Sequence, residues 1–105
     1  MTASGIADST IERFVARERQ RFLDHHPACA RLAERARQNL YGGVPMHWMS
    51  DWSTPVPLFL AEAQGARLLD VDGNEYLDFC LGDTAAMFGH SPAPIAKALA
   101  EQGAR

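Results

Sequence analysis

The chain has 105 residues, of which 47% are hydrophobic and 22% are charged, and its formal net charge is −3. This size and composition fit one small soluble domain, and the negative charge argues against a nucleic-acid-binding surface. No apolar run approaches the roughly 20 residues of a membrane-spanning helix, and no secretory signal is visible. We therefore expect a cytoplasmic protein with neither membrane nor nucleic-acid partners.

A first helix is predicted from near Ser9, after a small, polar stretch over residues 1–8 that we expect to be frayed and flexible. Ser9 and Glu12 have the spacing of a capping box, in which each side chain satisfies a backbone N–H of the first turn. Acids are interleaved with the arginines that follow. This favours a solvated helix face over a mitochondrial presequence, because presequences are poor in acids.

A second helix is predicted from Pro27 to about Leu40, because proline suits the first helical turn and the pair Gly42–Gly43 can close a helix. The two helices together form a helical arm over residues 9–44. The adjacent histidines His25–His26 lie at the break between the helices. We expect them to have surface or capping roles rather than to bind a metal.

An irregular apolar loop is predicted over residues 45–57, because three prolines exclude a regular helix and no alternation supports a long strand. The loop is rich in large side chains, and that much apolar surface must be covered by something. In a chain this short, we expect the cover to come from another segment or another subunit.

A three-stranded β-meander is predicted over residues 58–80, with strands at 58–62, 67–71 and 75–79. Its second turn contains Asp72–Gly73, a pair that readily takes the positive φ of tight hairpins. The surrounding acids are interpreted as solvent-facing turn residues, since the stretch is too short for a calcium-binding EF-hand loop.

Residues 81–105 are predicted to be a loop followed by the start of a helix near Ser91–Pro92 or Pro94. The predicted fold class is therefore α+β. It has two N-terminal helices, a small antiparallel three-stranded sheet and a C-terminal helix.

The stretch from Leu69 to Asp78 resembles a hairpin motif of the class III aminotransferases, written D-x-D-G-x-x-Y-x-D. Glu62–Ala66 is similar to the strand and turn that precede this hairpin in the family. Gly89–Pro92 is similar to the Gly-His loop and the proline-opened helix that follow it. The segment Gly42–Val44 resembles the branch of glutamate-semialdehyde aminomutases and β-amino acid aminotransferases. The order and spacing agree over residues 27–105.

The resemblance implies the N-terminal region of a fold-type I α/β enzyme that uses pyridoxal phosphate (PLP). It implies an amino donor and a keto or aldehyde acceptor as substrates, a homodimer, and a large domain that follows residue 105. The loops at 45–52 and 82–90 would line the substrate entrance. The candidate pocket residues are Met46, His47, Trp48, Met49, Trp52, Asp83 and Thr84. Ordinary packing for the two tryptophans, and turn chemistry for the last two residues, are the alternative explanations.

A PLP enzyme needs a lysine that links covalently to the cofactor. The resemblance implies that this lysine lies outside this stretch, and that the stretch supplies pocket walls and dimer contacts. The one lysine, Lys97, is predicted on the exposed side of the last helix. No catalytic, cofactor-binding or metal residue is therefore assigned, and the chain alone is expected to be inactive. Aminomutase activity is not implied, since Pro45–Met49 lacks the carboxylate-binding Arg that the aminomutases have after their Gly-Gly-Val segment. A PLP racemase or decarboxylase of the same fold, or a non-enzymatic α+β interaction module, are the alternatives.

Overall fold

The computed structural model describes residue 5, residues 7–82 and residues 86–105. The helices are α1 (Asp8–His25), α2 (Pro27–Arg37) and α3 (Ala93–Gly103), and the strands are β1 (Leu60–Gln64), β2 (Arg67–Asp70) and β3 (Glu75–Leu77). The predicted α+β class and element order are confirmed. The chain divides into two compact units, Met1–Leu58 and Phe59–Arg105. None of the helices in the described ranges is long and apolar enough to cross a bilayer.

The first helix of the first unit begins without the predicted capping box. Ala7 is the N-cap residue of α1, and no side chain caps the helix. Ser9 already lies inside the helix, so the prediction that it caps the first turn is wrong. The carboxylate of Asp8 lies in the first turn instead, where it interacts favourably with the positive end of the helix dipole.

The pair of histidines closes the other end of α1. The Nδ1 atom of His26 lies 2.6 Å from the carbonyl oxygen of Phe22, and the two rings stack with their centroids 3.9 Å apart. The Nδ1 atom of His25 lies 2.8 Å from the carbonyl oxygen of Arg21. Because a carbonyl oxygen only accepts hydrogen bonds, both imidazoles donate to the last turn of the helix. The predicted capping role is confirmed.

One side of α2 is the most buried surface of the first unit, with Cys29 fully buried and Ala33 nearly so. The helix ends at Arg37 rather than near Leu40, which has an extended backbone. Gly43 then packs on the last turn of the helix with φ at +77°. A Cβ atom there would lie 3.0 Å from the Cγ atom of Arg37, so this close return of the chain requires glycine.

The second unit contains the antiparallel sheet, whose strands follow one another in the order β1-β2-β3. Gln64 pairs with Arg67 beside the first turn, and Leu68 pairs with Tyr76. The register of β1 shifts between Leu60 and Glu62, as it does at a β-bulge.

Large apolar side chains of the second unit remain exposed. Leu77 and Phe79 are 60% and 93% exposed, whereas the alternating Tyr76 and Asp78 are partly buried. The terminal helix α3 has no buried residue. The polar face of β3 is therefore the covered one, which is the reverse of the usual amphipathic strand.

Candidate functional site

The second turn of the meander is organised around the carboxylate of Asp70, which is 1% exposed. Its Oδ1 atom accepts the backbone N–H groups of Asp72 and Asn74, at 2.9 and 2.8 Å. Its Oδ2 atom accepts the side-chain amide of Asn74 and the hydroxyl of Tyr76, at 3.0 and 2.9 Å. The prediction that the acids of this stretch face solvent is wrong for Asp70, whose carboxylate closes the turn from inside, and for Asp78, whose side chain is 13% exposed.

The charge of Asp70 is retained despite its burial. Burial would by itself raise the pKa of Asp70, but the hydrogen bonds from Asn74, Tyr76 and Asp72 together lower this pKa below its ordinary value. The side chain therefore stays anionic at neutral pH. Three positions of the D-x-D-G-x-x-Y-x-D pattern thus have a structural reason. Asp70 accepts the hydrogen bonds of the turn, Tyr76 donates one of them, and Gly73 has a φ of +85°.

A second carboxylate, that of Asp78, joins the end of the meander to a residue twelve positions further along the chain. Its Oδ2 atom lies 2.7 Å from the Nε2 atom of His90, and the side chains are 13% and 23% exposed. Its Oδ1 atom accepts the backbone N–H groups of Cys80 and Leu81, at 2.9 and 2.8 Å. Both oxygens are therefore used, one on each side of the intervening loop.

The hydrogen bond from His90 is the main cause that lowers the pKa of Asp78 below its ordinary value. The N–H groups of Leu81 and Cys80 lower this pKa further, and burial opposes them. Asp78 is therefore a carboxylate throughout the physiological range, and it accepts the imidazole N–H.

The backbone of His90 is fixed to the first turn of the meander. Two hydrogen bonds of 2.9 and 2.8 Å link Gly65 and His90 in both directions. The preceding Gly89 has a φ of +85°, and a Cβ atom at this position would lie 3.0 Å from the Cα atom of Gly65. The Gly-His pair is therefore the point where the loop after β3 returns to the sheet.

Three candidate pocket residues of the first unit lie in a short 3-10 turn, His47–Asp51, and the other two, Met46 and Trp52, flank it, within the stretch that was predicted to be irregular. The rings of Trp48 and Trp52 lie 6.0 Å apart and are tilted by 50°. The two side chains are 42% and 64% exposed, and Met46 is 52% exposed. The structure thus brings the two tryptophans together and leaves an accessible aromatic surface, while Met49 is half-buried.

The other two candidates, Asp83 and Thr84, lie outside the described residues. Sequence reasoning assigned no role to Asp70, Asp78 or His90. The available signal was the motif itself, in which an acid stands at each end of the second hairpin and a histidine follows a glycine.

The described residues do not fit a covalent PLP site. Lys97 is 77% exposed on α3, where its Nζ atom lies 3.8 Å from the Oε1 atom of Glu101. A lysine in a solvated helical ion pair has neither the burial nor the neighbours that a cofactor-linked lysine requires. The prediction that Lys97 is on the exposed side of its helix is confirmed.

No protein-family model matches the chain. In structure, the chain is similar to a glutamate-1-semialdehyde aminomutase from Pseudomonas aeruginosa PAO1, with 42% sequence identity, a TM-score of 0.86, and coverage of 96% of this chain and 22% of that one. It is also similar to a β-phenylalanine aminotransferase from Variovorax paradoxus, with 35% identity, a TM-score of 0.78, and coverage of 89% and 22%.

A curated relative, the glutamate-1-semialdehyde 2,1-aminomutase of Methanosarcina acetivorans, is 37% identical over 73 residues, which are 68% of this chain and 16% of that protein. The chain thus spans about a fifth of the length of the solved relatives. The similarity in sequence extends over most of the chain, and the similarity in fold accompanies it. The chain therefore belongs to the class III, fold-type I family of PLP-dependent aminotransferases, with relatives among the glutamate-1-semialdehyde aminomutases and the β-phenylalanine aminotransferases.

Proposed function

We propose that the chain is part of a PLP-dependent transaminase that transfers an amino group from an amino donor to a keto or aldehyde acceptor. The observation that carries this proposal is the agreement in fold and sequence with an aminomutase and an aminotransferase over 96% and 89% of the chain. One solved aminomutase relative is in complex with PMP, and another relative is a transaminase with PLP bound.

The cofactor is proposed to be held by sequence outside these 105 residues. When bound, PLP supplies the electron sink for the transfer, and the protein supplies binding and orientation. Lys97 does not fit the covalent link, and this chain spans about a fifth of its solved relatives. We therefore assign to the chain the walls of the substrate pocket and contacts between subunits.

The aromatic turn, defined as His47–Asp51 with the flanking Met46 and Trp52, is the proposed pocket wall. No Lys or Arg occurs between Arg37 and Arg67, so this wall has no permanent cation that could pair with a substrate carboxylate. The exposed rings of Trp48 and Trp52 instead offer apolar, electron-rich surface. We propose that the wall contacts the apolar part of the amino donor or acceptor.

A homodimer and a cytoplasmic location are part of the same proposal. Support for an assembly comes from apolar side chains that the described chain leaves uncovered, among them Phe79 at 93% and Phe88 at 86% exposed. Apolar surface of this kind is commonly covered by another segment or subunit. Sedimentation of the full-length protein would measure its oligomeric state.

The proposal is tested with the full product of the open reading frame that encodes this chain. The purified protein is mixed with PLP, and its absorbance is followed while amino donors and keto acids are added in turn. We expect the cofactor spectrum to change with the donor and to return with the acceptor. A protein that binds no PLP, or that racemises or decarboxylates the donor without amino transfer, would contradict the proposal. The 105-residue chain alone is expected to give no spectral change.

A further inference from the structure

We propose that His90 is a positioning residue that, through Asp78, fixes the base of the loop after β3 and so favours substrate binding. The loop base is defined here as residues 80–82 and 86–89. The kinetic part of this inference rests on the proposed transaminase function. The structural part rests only on the geometry of the second unit.

The first element of the argument is that one carboxylate holds both sides of the loop base. The Oδ1 atom of Asp78 accepts the N–H groups of Cys80 and Leu81, and its Oδ2 atom accepts the N–H group of the His90 imidazole at 2.7 Å. Charge-assisted hydrogen bonds are about twice as strong as neutral ones, and the side chains of Asp78 and His90 are mostly shielded from water. Loss of the imidazole would free one side of the loop base.

The second element is that His90 is anchored outside the loop. Its backbone exchanges two hydrogen bonds with Gly65, which lies in the turn between β1 and β2. Further bonds cross the loop base, from the N–H group of Ala86 to the carbonyl of Leu81 at 3.0 Å, and from Gly89 to Ala86 at 2.8 Å. His90 therefore connects the sheet to the loop base: its backbone binds Gly65, and its imidazole binds Asp78.

The third element is backbone strain beside both partners. Leu81 and Ser91 have φ angles of +51° and +50°, which non-glycine residues adopt at a cost of about 1 kcal/mol or more each. Such conformations persist only when surrounding contacts determine them. Leu81 is held by Asp78, and Ser91 follows directly after His90. The pair thus keeps the loop base in a conformation that the chain would otherwise leave.

The fourth element is an open recess next to the pair. It has a volume of about 320 Å³ and is lined by residues 86–92 and Ile95, so His90 forms part of its wall. Met87 and Phe88 in the same wall are 68% and 86% exposed. The hydrogen bonds of Asp78 hold the loop base in one conformation beside this recess. A surface that is already ordered binds a ligand more strongly, because less conformational entropy is lost on binding.

The test compares His90→Ala and His90→Gln in the full-length protein, with Glu75→Gln as a control for an exposed side chain in the same sheet. The glutamine amide retains an N–H donor for Asp78, whereas alanine does not. Hydrogen exchange of the Cys80 and Leu81 amides reports on the loop base without reference to activity. We expect faster exchange in His90→Ala and near-normal exchange in His90→Gln and in the control.

Steady-state kinetics then test the role in binding. We expect only about one tenth of the His90→Ala molecules to keep the loop base in its binding-competent conformation. Because the apparent affinity falls by that fraction, the KM for the amino donor should rise about tenfold, while kcat should stay within roughly twofold. The glutamine variant should recover most of the loss. Unchanged exchange in His90→Ala, or a fall in kcat with unchanged KM, would overturn the inference. If the unaltered protein has no transaminase activity, the proposed function fails, and the exchange measurement still decides the structural part.

Discussion

The hydroxyl of Tyr76 donates a hydrogen bond of 2.9 Å to the buried carboxylate of Asp70, across the turn between β2 and β3. The two residues are six positions apart, and their side chains lie on the covered face of the sheet. This bond, together with three others to the same carboxylate, explains why the hairpin motif combines an acid with a tyrosine.

Replacement of Tyr76 by phenylalanine is expected to destabilise the protein by about 1–3 kcal/mol, because a buried carboxylate oxygen loses a donor that water cannot readily replace. The measurement is the free energy of unfolding in urea. Tyr41→Phe is the matched control, since Tyr41 is 92% exposed. Equal stability of the two variants would show that the hydroxyl of Tyr76 contributes nothing to the turn.

The pH dependence of stability follows from the lowered pKa values of Asp70 and Asp78. A carboxyl group with a folded pKa below its unfolded value of about 3.8 stabilises the fold above that value. This contribution is lost as the pH falls through the folded pKa. We therefore expect the free energy of unfolding to be level near neutral pH and to decrease below about pH 4.

Asp70→Asn tests whether Asp70 causes the decrease in the free energy of unfolding at acidic pH. The variant should be less stable at neutral pH, because an amide group would meet donors that now point at a carboxylate. It should also lose less stability on acidification than the unaltered protein. Glu62→Gln, an exposed acid on β1, serves as the control and should keep the original pH profile. An acid profile unchanged by Asp70→Asn would assign the effect to other groups.

The elements of the fold could be predicted because their signals are local. Pro27 opens a helix, Asp72–Gly73 closes a hairpin, and both operate within a few residues. The cap of α1 could not be chosen in this way. Its N-cap residue, Ala7, has no side-chain acceptor, so no residue preference marks it, and the sequence pattern instead favoured Ser9, which lies inside the helix.

The two carboxylate sites could not be predicted for a different reason. Acids near a hairpin turn usually face water, and only the closed turn shows that Asp70 has four donors around it. The partners Asp78 and His90 are twelve residues apart, and they meet only because the chain returns to Gly65. That return is a tertiary contact, which no periodicity in the sequence indicates.

Gly89→Ala is expected to destabilise the second unit more than Gly73→Ala does. Both glycines have a φ of +85°, so both substitutions carry a similar backbone cost of about 1 kcal/mol. A Cβ atom at Gly89 would also lie 3.0 Å from the Cα atom of Gly65, whereas a Cβ atom at Gly73 has nothing within 4 Å. The difference between the two free energies of unfolding isolates this contact, and a difference of zero would mean that the loop moves away at no cost.

The aromatic turn gives the last prediction, for which the two tryptophans of the chain act as their own probes. Trp48 and Trp52 are 42% and 64% exposed in the described chain. If they form the pocket wall of the full-length protein, a soluble quencher should reach the part of the fluorescence that Trp48→Ala and Trp52→Ala remove, and a saturating amino donor should shield that part. Trp48→Ala and Trp52→Ala should each weaken the binding of an apolar donor by about 0.5–1.5 kcal/mol, which raises its KM roughly two- to tenfold. Phe14→Ala, on the exposed face of α1, is the control for loss of an aromatic side chain. If both tryptophans prove inaccessible and their variants lose only stability, the turn is a packing element, and the substrate is bound elsewhere.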